Sequence, residues 1–471
     1  MNKIKIMVKT ALLLVVLLFL SRFGSAQCVA PFHKGDRVVF VGNSITDGGH
    51  YHSYIWLYYM THFPNSRIDV FNAGIGGDIA GQMLDRLNTD VFSRKPTVIT
   101  LTFGMNDTGY MEFLKPDADQ VAKQKIQISC NSFLQIEKRL KEYPNVRKIM
   151  IGTSPYDETS KIKYIAFPKK NEAMLEIVKF QQQHAIENKW DFIDFNHPMV
   201  AINLKGQKKD SLFTLGGTDR VHPLLDGHLV MAYLFLKAQG LANKKVADIE
   251  INAAQNKLLN SANCRISNLV TTSNSVTFNY LANSLPYPLD TTAINGNYGP
   301  NAKRQTDALT VIPFIDEFNQ ELLKIKGLKE GGHYSIEIDK KLIGTWTGAT
   351  LASGINLALI SSTPQYQQAL AIMYLNEERW AIERRLREYA WIHYSILTKK
   401  GLLFNDNEST YDSLKLYAKK DFYIRATLGT YQKARFASVR EAWQMEMNTL
   451  VNEIYKINKP VEHSIKIELM K

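Results

Sequence analysis

Between residues 36 and 240 the chain alternates short apolar runs with longer helix-length segments, and that alternation leaves few folds open. The runs Arg37–Val41, Ile68–Phe71, Thr97–Phe103, Lys148–Gly152 and Asp191–Phe195 are rich in valine, isoleucine and phenylalanine. Short runs of this kind suit strands buried on both faces. Helix-length segments lie among them, near 53–62, 79–93, 118–142, 169–189 and 225–240. A βαβα order predicts a parallel sheet with helices on both sides and right-handed crossovers. The alternation by itself is compatible with several strand orders.

The pattern stops near Ala242. Ile266–Leu281 reads as β material, with Val276, Phe278 and Tyr280 alternating. Ser284–Lys303, rich in proline, glycine and asparagine, reads as an extended covering segment. Strand character resumes over Glu321–Ile343, with a hairpin turning at Asp339–Lys341. Farther on, Ile382, Leu386, Tyr389, Ile392 and Ile396 recur at helical spacing and mark one apolar helix face, stopped by Gly401. A second helical region runs from about Tyr411 to Ile457, ended by Pro460. The expected organisation is an α/β domain over residues 30–245, a small β-rich unit over 262–345 and a helical region over 365–460. Trp380, Trp391 and Trp443 read as core residues and not as ligand platforms.

Residues 1–26 have the form of a secretory signal. Lys3, Lys5 and Lys9 precede an apolar core, Ala11–Leu20, and a small-residue cleavage site, Gly24-Ser25-Ala26. The apolar run is short for a membrane span, so export to the periplasm or the exterior is expected, with no stable membrane insertion after removal of the signal. Cys28 stands where a lipid-modified cysteine would stand, but Gln27 before it fits lipoprotein processing poorly. With Cys130 and Cys264 it makes three cysteines, too few for a disulfide framework and without metal-ligand spacing. No metal and no other cofactor is expected: no histidine–carboxylate set has ligand spacing, and no glycine-rich phosphate loop is present. Loss of the signal would remove Lys3, Lys5, Lys9 and Arg22 and no acid, leaving +8 of the formal +12. That charge suits an acidic polymer, but ordinary solubility is the reading preferred for it. No zinc finger or basic-aromatic motif points to nucleic acid.

Four segments fall at strand ends or before the last helix of the α/β region: Gly42-Asn43-Ser44, Asn72-Ala73-Gly74-Ile75-Gly76-Gly77-Asp78, Phe103-Gly104-Met105-Asn106-Asp107, and Asp219-Arg220-Val221-His222. The carboxyl edge of such a sheet is where α/β active sites lie. In this order and placement the four blocks resemble those of the SGNH hydrolase superfamily, also called the GDSL esterase/lipase family. The resemblance covers residues 36–240 and matches Ser44, Gly77 (with Gly76 the alternative), Asn106 and His222. It implies a three-layer flavodoxin-like α/β fold and a serine ester hydrolase. Ser44 would be the nucleophile, His222 the base and Asp219 the residue orienting it. The backbone N–H groups of Ser44 and Gly77 and the Asn106 amide would form the oxyanion hole. The family's first block often has aspartate where this chain has Asn43, which keeps a local hydrogen bond and loses the charge. His50, His52, His197 and His228 are rival bases; Asp47 and Asp107 read as capping or loop residues.

Export and the appended β and helical regions point to a polymer-directed enzyme, so removal of O-acetyl groups from a carbohydrate is the expected reaction. A lysophospholipase or arylesterase with the same triad is the alternative. From another class comes a non-catalytic glycan-binding or scaffold protein, which the presence of Ser44, Asp219 and His222 disfavours. Leu285–Pro300, with Tyr287 and Tyr298, is a candidate sugar subsite, or else a passive wrap. Gly354–Ala358 is a candidate contact with the catalytic domain, or else a helix cap.

Overall fold

The computed structural model describes residues 29–272, 274–296 and 299–471. The signal segment, Cys28 and Tyr298 lie outside these. Five strands, β1 (Arg37–Gly42), β2 (Asp69–Gly74), β3 (Val98–Leu101), β4 (Arg147–Gly152) and β5 (Asp191–Asp194), form one parallel sheet in the order 2-1-3-4-5. This is the flavodoxin-like order, with its switch point at the β1/β3 border. Alternate residues of β1 serve the two faces. Val38 and Phe40 join the core under the helices His50–His62 and Leu225–Ala238, while Val39 and Val41 join the core on the other side. The sheet is therefore the middle of three layers, as the sequence pattern requires.

The helices following the sheet strands are α1 (Ser44–Asp47), α2 (His50–His62), α3 (Ala80–Asp85), α4 (Ala118–Lys141), α5 (Lys170–Glu187), α6 (Asn196–Gln207) and α7 (Leu225–Ala238). Two of them depart from the sequence reading. The segment expected as one helix over 79–93 ends at Asp85 and continues as a π turn (Leu87–Val91) and a short 3-10 turn. There the buried Arg86 binds Asp78 and Asp90 at 2.7 Å each, and such local insertions accommodate a side-chain network at the expense of regular helix. Helix α6 escaped detection. It carries Pro198 in its first turn, where the missing N–H is not needed, and Gly206 near its end.

The β-rich part is wider than 262–345. Strands β6 (Ala247–Asn252), β7 (Lys257–Ala262), β12 (Glu321–Lys326) and β15 (Ile355–Asn356) make a four-stranded sheet in the order 15-12-6-7. Strands β8 (Cys264–Thr271), β9 (Ser275–Ala282), β13 (His333–Ile338), β14 (Lys341–Thr347) and β16 (His463–Leu469) make a five-stranded sheet in the order 14-13-16-9-8, and β10 (Ile294–Gly296) and β11 (Gly299–Lys303) pair separately with each other. The four- and five-stranded sheets enclose one apolar core, including Ile249, Phe278, Tyr334 and Ile467. Asp339 and Lys340 take positive φ at the expected β13–β14 turn. Gly354–Ala358 contributes β15, paired with β12.

Between β15 and β16 the chain inserts its helical region: α10 (Pro364–Trp391), α11 (Glu408–Ala418), α12 (Phe422–Ala434) and α13 (Ala437–Ile457), after the short α8 (Phe314–Phe318) and α9 (Gly348–Ser353). Ala369, Ile372 and Met373 of α10 and Val451 and Ile454 of α13 share the core of the α/β domain. Among the described residues, no helix is long and apolar enough to cross a membrane.

Candidate active site

Strand β1 ends at Gly42, where any side chain would collide with Thr46 (a Cβ would stand 2.2 Å from its Oγ1). This close turn lets Asn43 accept from the Ile45 N–H at 3.0 Å and opens α1 at Ser44. The Asn43 side chain thus keeps the local bond expected of it, while its Nδ2 is buried without a partner among the described residues. Ser44 is left half-exposed at the sheet's carboxyl edge.

Ser44 Oγ lies 2.8 Å from His222 Nε2, and His222 Nδ1 lies 2.5 Å from Asp219 Oδ2. Asp219 Oδ1 accepts from the N–H groups of Val221 and His222 at 3.0 and 2.9 Å. Burial alone would raise the Asp219 carboxyl, but the His222 bond and those two N–H groups hold it below its ordinary range. It is therefore a buried carboxylate, 6% exposed, behind an imidazole that is 38% exposed. The segment is pinned by a residue the sequence reading passed over. Arg220 adopts a left-handed φ of +69°, which is costly for any residue bearing a Cβ. Its guanidinium offsets that by donating to the carbonyls of Asp157, Ser160, Ile162 and Tyr164.

The second and third blocks meet at a side chain. Asn106 Nδ2 donates to the Asp78 carbonyl at 3.0 Å, and Asn106 Oδ1 accepts from the Tyr110 hydroxyl at 2.8 Å. The tyrosine fixes which way the amide faces and leaves one N–H to give. Below the loop, the buried Lys170 ammonium donates to Met105 O, Thr108 Oγ1 and Gly109 O, and burial pushes its pKa down to about 7. Asp107 accepts from Ala80 N, Gly104 N and Ser129 Oγ, so it is a loop-bonding residue as read. Asp47 is not: its Oδ1 is buried without a partner among the described residues. Gly77 is exposed, with φ +87°, in the turn after β2.

The rival histidines sit elsewhere. His52 bonds the Thr46 carbonyl and burial drives it down to about 4; His228 is likewise held neutral by burial. His50 stacks on Trp380, and His197 pairs with Asp194. Trp391 and Trp443 pack at the margin of the helical region's apolar cluster, as read, whereas Trp380 is outside it. Trp380 and Trp391 are half-exposed, and their indoles bond Gly48 O and Gly76 O at 3.1 Å each. Tyr287, by contrast, is fully buried against Phe314 and cannot line an open subsite.

Comparison with known proteins bears on the family and the fold. The model of the GDSL-like lipase/acylhydrolase family matches residues 40–230, and that of a diltiazem deacetylase C-terminal helical domain matches residues 370–459. The solved structure of a gut microbial diltiazem-metabolizing enzyme is 51% identical, covers 95% of this chain and all of its own, and superposes with a TM-score of 0.91. The chain belongs to the GDSL-like lipase/acylhydrolase family. This hydrolase is also 25% identical over 225 residues to an acetylxylan esterase of Geobacillus stearothermophilus, covering 44% of this chain and 95% of the relative. It is 30% identical over 126 residues to an uncharacterized lipoprotein, YqeF, of Bacillus subtilis (strain 168), where the match spans 26% of this chain and half of that protein. The α/β fold and the SGNH resemblance read from four short blocks are thereby borne out, and the protein is an ester hydrolase.

Proposed function

We propose that the protein removes O-acetyl groups by a Ser44–His222–Asp219 relay, and that its natural substrate is an acetylated carbohydrate met after export. The observation that carries the mechanism is the unbroken chain Ser44 Oγ–His222 Nε2 (2.8 Å) and His222 Nδ1–Asp219 Oδ2 (2.5 Å). His222 takes the serine proton as Oγ bonds to the acetyl carbonyl carbon, and the carbonyl electron pair moves onto oxygen. The N–H groups of Ser44 and Gly77 and the free Asn106 amide hydrogen receive that charge. Collapse expels the alcohol, protonated by His222, and leaves acetyl-Ser44. Water then repeats the sequence with His222 as base and releases acetate. Asp219, ionised throughout, keeps the proton on His222 Nδ1 and stabilises the cation.

Two names support acetyl as the acyl group: one belongs to an acetylxylan esterase, and the other, that of a diltiazem deacetylase, to the C-terminal helical domain matched over residues 370–459. The second favours another reading of the alcohol, a small acetylated aromatic molecule; the helical region so matched borders the site through Trp380 and Trp391. Acetate release from acetylated xylan, acetylated chitooligosaccharide and diltiazem, with p-nitrophenyl acetate and octanoate as controls, separates these. Release from a glycan, abolished in Ser44→Ala, supports the carbohydrate reading. Release from diltiazem alone selects the second, and a preference for octanoate refutes both.

A further inference from the structure

Helix α10 meets the α/β domain through a polar face. Asn376, Trp380, Glu383, Arg387 and Trp391 recur at helical spacing, and each bonds strand β2, a loop at the sheet's carboxyl edge or helix α2. Asn376 Nδ2 donates to Ser53 Oγ, Trp380 Nε1 to Gly48 O, and the Asn72 N–H to Glu383 Oε1. Arg387 donates to Gly74 O and holds both oxygens of Asp90 at 2.8 Å. At the end of the row, Trp391 Nε1 donates to Gly76 O at 3.1 Å.

That last bond has a geometric consequence. The Gly76 carbonyl and the Gly77 N–H are opposite ends of one planar peptide unit, so fixing one direction fixes the other. The unit is the central peptide of a turn closed by Asp78 N to Ile75 O at 3.2 Å. Rotation of the central peptide interconverts the type I and type II turns, and the +87° φ of Gly77 corresponds to type II. Glycine at both central positions puts no side chain in the way of that rotation. Among the described residues the Gly77 N–H has no acceptor, so nothing on its own side restrains it.

We propose that Trp391, from the helical region, is a positioning residue of the oxyanion hole. Its indole N–H holds the Gly76–Gly77 peptide so that the Gly77 N–H faces the substrate oxygen. By drawing charge onto the carbonyl, it also strengthens that N–H as a donor. This rests on the assignment of Gly77 as an oxyanion donor made above. The inference differs from a wall for the substrate: a wall acts on binding, whereas an aimed donor acts where the oxyanion forms, in the transition state.

Trp391→Phe removes the N–H and keeps a ring in a half-exposed position. In the full chain with p-nitrophenyl acetate, kcat is expected to fall about tenfold, a fraction of the hundredfold or more that loss of a whole donor costs. KM should stay within about twofold. Affinity for a boronic acid, whose serine adduct carries a tetrahedral oxyanion, should fall with kcat, and the unfolding midpoint should not move. An unchanged kcat, or a loss confined to KM, overturns the proposal. If Trp391→Phe does not fold, 3-benzothienylalanine at position 391 replaces only the N–H by sulfur and is judged by the same criteria. Ser44→Ala is measured alongside. Activity surviving in Ser44→Ala defeats the underlying mechanism; an inactive Ser44→Ala with a fully active Trp391→Phe defeats this inference alone.

Discussion

Glu321, at the start of β12, is fully buried where the β-rich unit meets the first turn of α10. Its Oε1 accepts from the Tyr280 hydroxyl at 2.7 Å and from Gln365 Nε2 at 2.9 Å, while its Oε2 and Gln365 Oε1 have no partner among the described residues. Burial raises the carboxyl from an ordinary 4.5 to about 7, against the lowering effect of the two bonds. Below pH 4.5 the folded and unfolded chains both hold the proton. Between 4.5 and about 7 only the folded chain does, so stability falls as pH rises through that window and is level above it. At about 1.4 kcal/mol per tenfold in proton affinity, the full displacement is worth about 3 kcal/mol. Glu321→Gln imitates the protonated acid and removes the penalty. The variant should match wild type near pH 4.5 and exceed it by about 3 kcal/mol at pH 8, a rise of several degrees in the thermal midpoint. Taking the difference between variant and wild type at each pH cancels the other titrating groups. A difference that does not change with pH, or a variant less stable at pH 8, would refute the assignment of a buried, unpaired proton site.

Asn106→Asp should lower kcat on p-nitrophenyl acetate by more than about a hundredfold with little change in KM, because it replaces a donor by a charge repelling both the oxyanion and the Asp78 carbonyl; an equal loss in both parameters would contradict that role. Arg387→Met leaves the buried Asp90 with only Arg86 and Arg94, and a chemical denaturation series should read a destabilisation of about 3 kcal/mol. Adding Asp90→Asn should return part of that loss; strict additivity of the two changes would mean the pair is not coupled.

Three of the four candidate blocks were legible because each follows a strand buried on both faces, and such strands announce themselves as apolar runs; the fourth, Asp219–His222, precedes α7 and was found only as part of the set. Ser44, Gly77 and Asn106 come directly after β1, β2 and β3, so locating the strands located the residues. What escaped was polar. The apolar row from Ile382 to Ile396, which starts in α10 and runs into the π turn after Trp391, gave the helix but not its polar positions, where Glu383, Arg387 and Trp391 bond the α/β domain. Charged residues at helical spacing read as solvent-facing unless their partners are known, and Asp90 lies 297 residues before Arg387. Arg220 carried no signal either, since its role rests on a left-handed backbone and four carbonyls from the segment 157–164. Strand β16 alternates well enough, but its place between β9 and β13 depends on pairing across the whole helical insertion.

That placement sets an order on how the molecule can be made. The strands flanking β16 are synthesised well before it, and about ten seconds of translation separate Ile338 from His463 at ordinary elongation rates. Through that interval β9 and β13 each present an open edge, the kind of surface on which chains pair wrongly. The helices emerging meanwhile can dock on the α/β domain, because their contacts there need nothing from residues 463–469. Closing the sandwich is therefore the last event, and a chain stopped just short of His463 would retain every residue of the proposed hydrolytic centre yet lack the strand that joins the two halves of the five-stranded sheet.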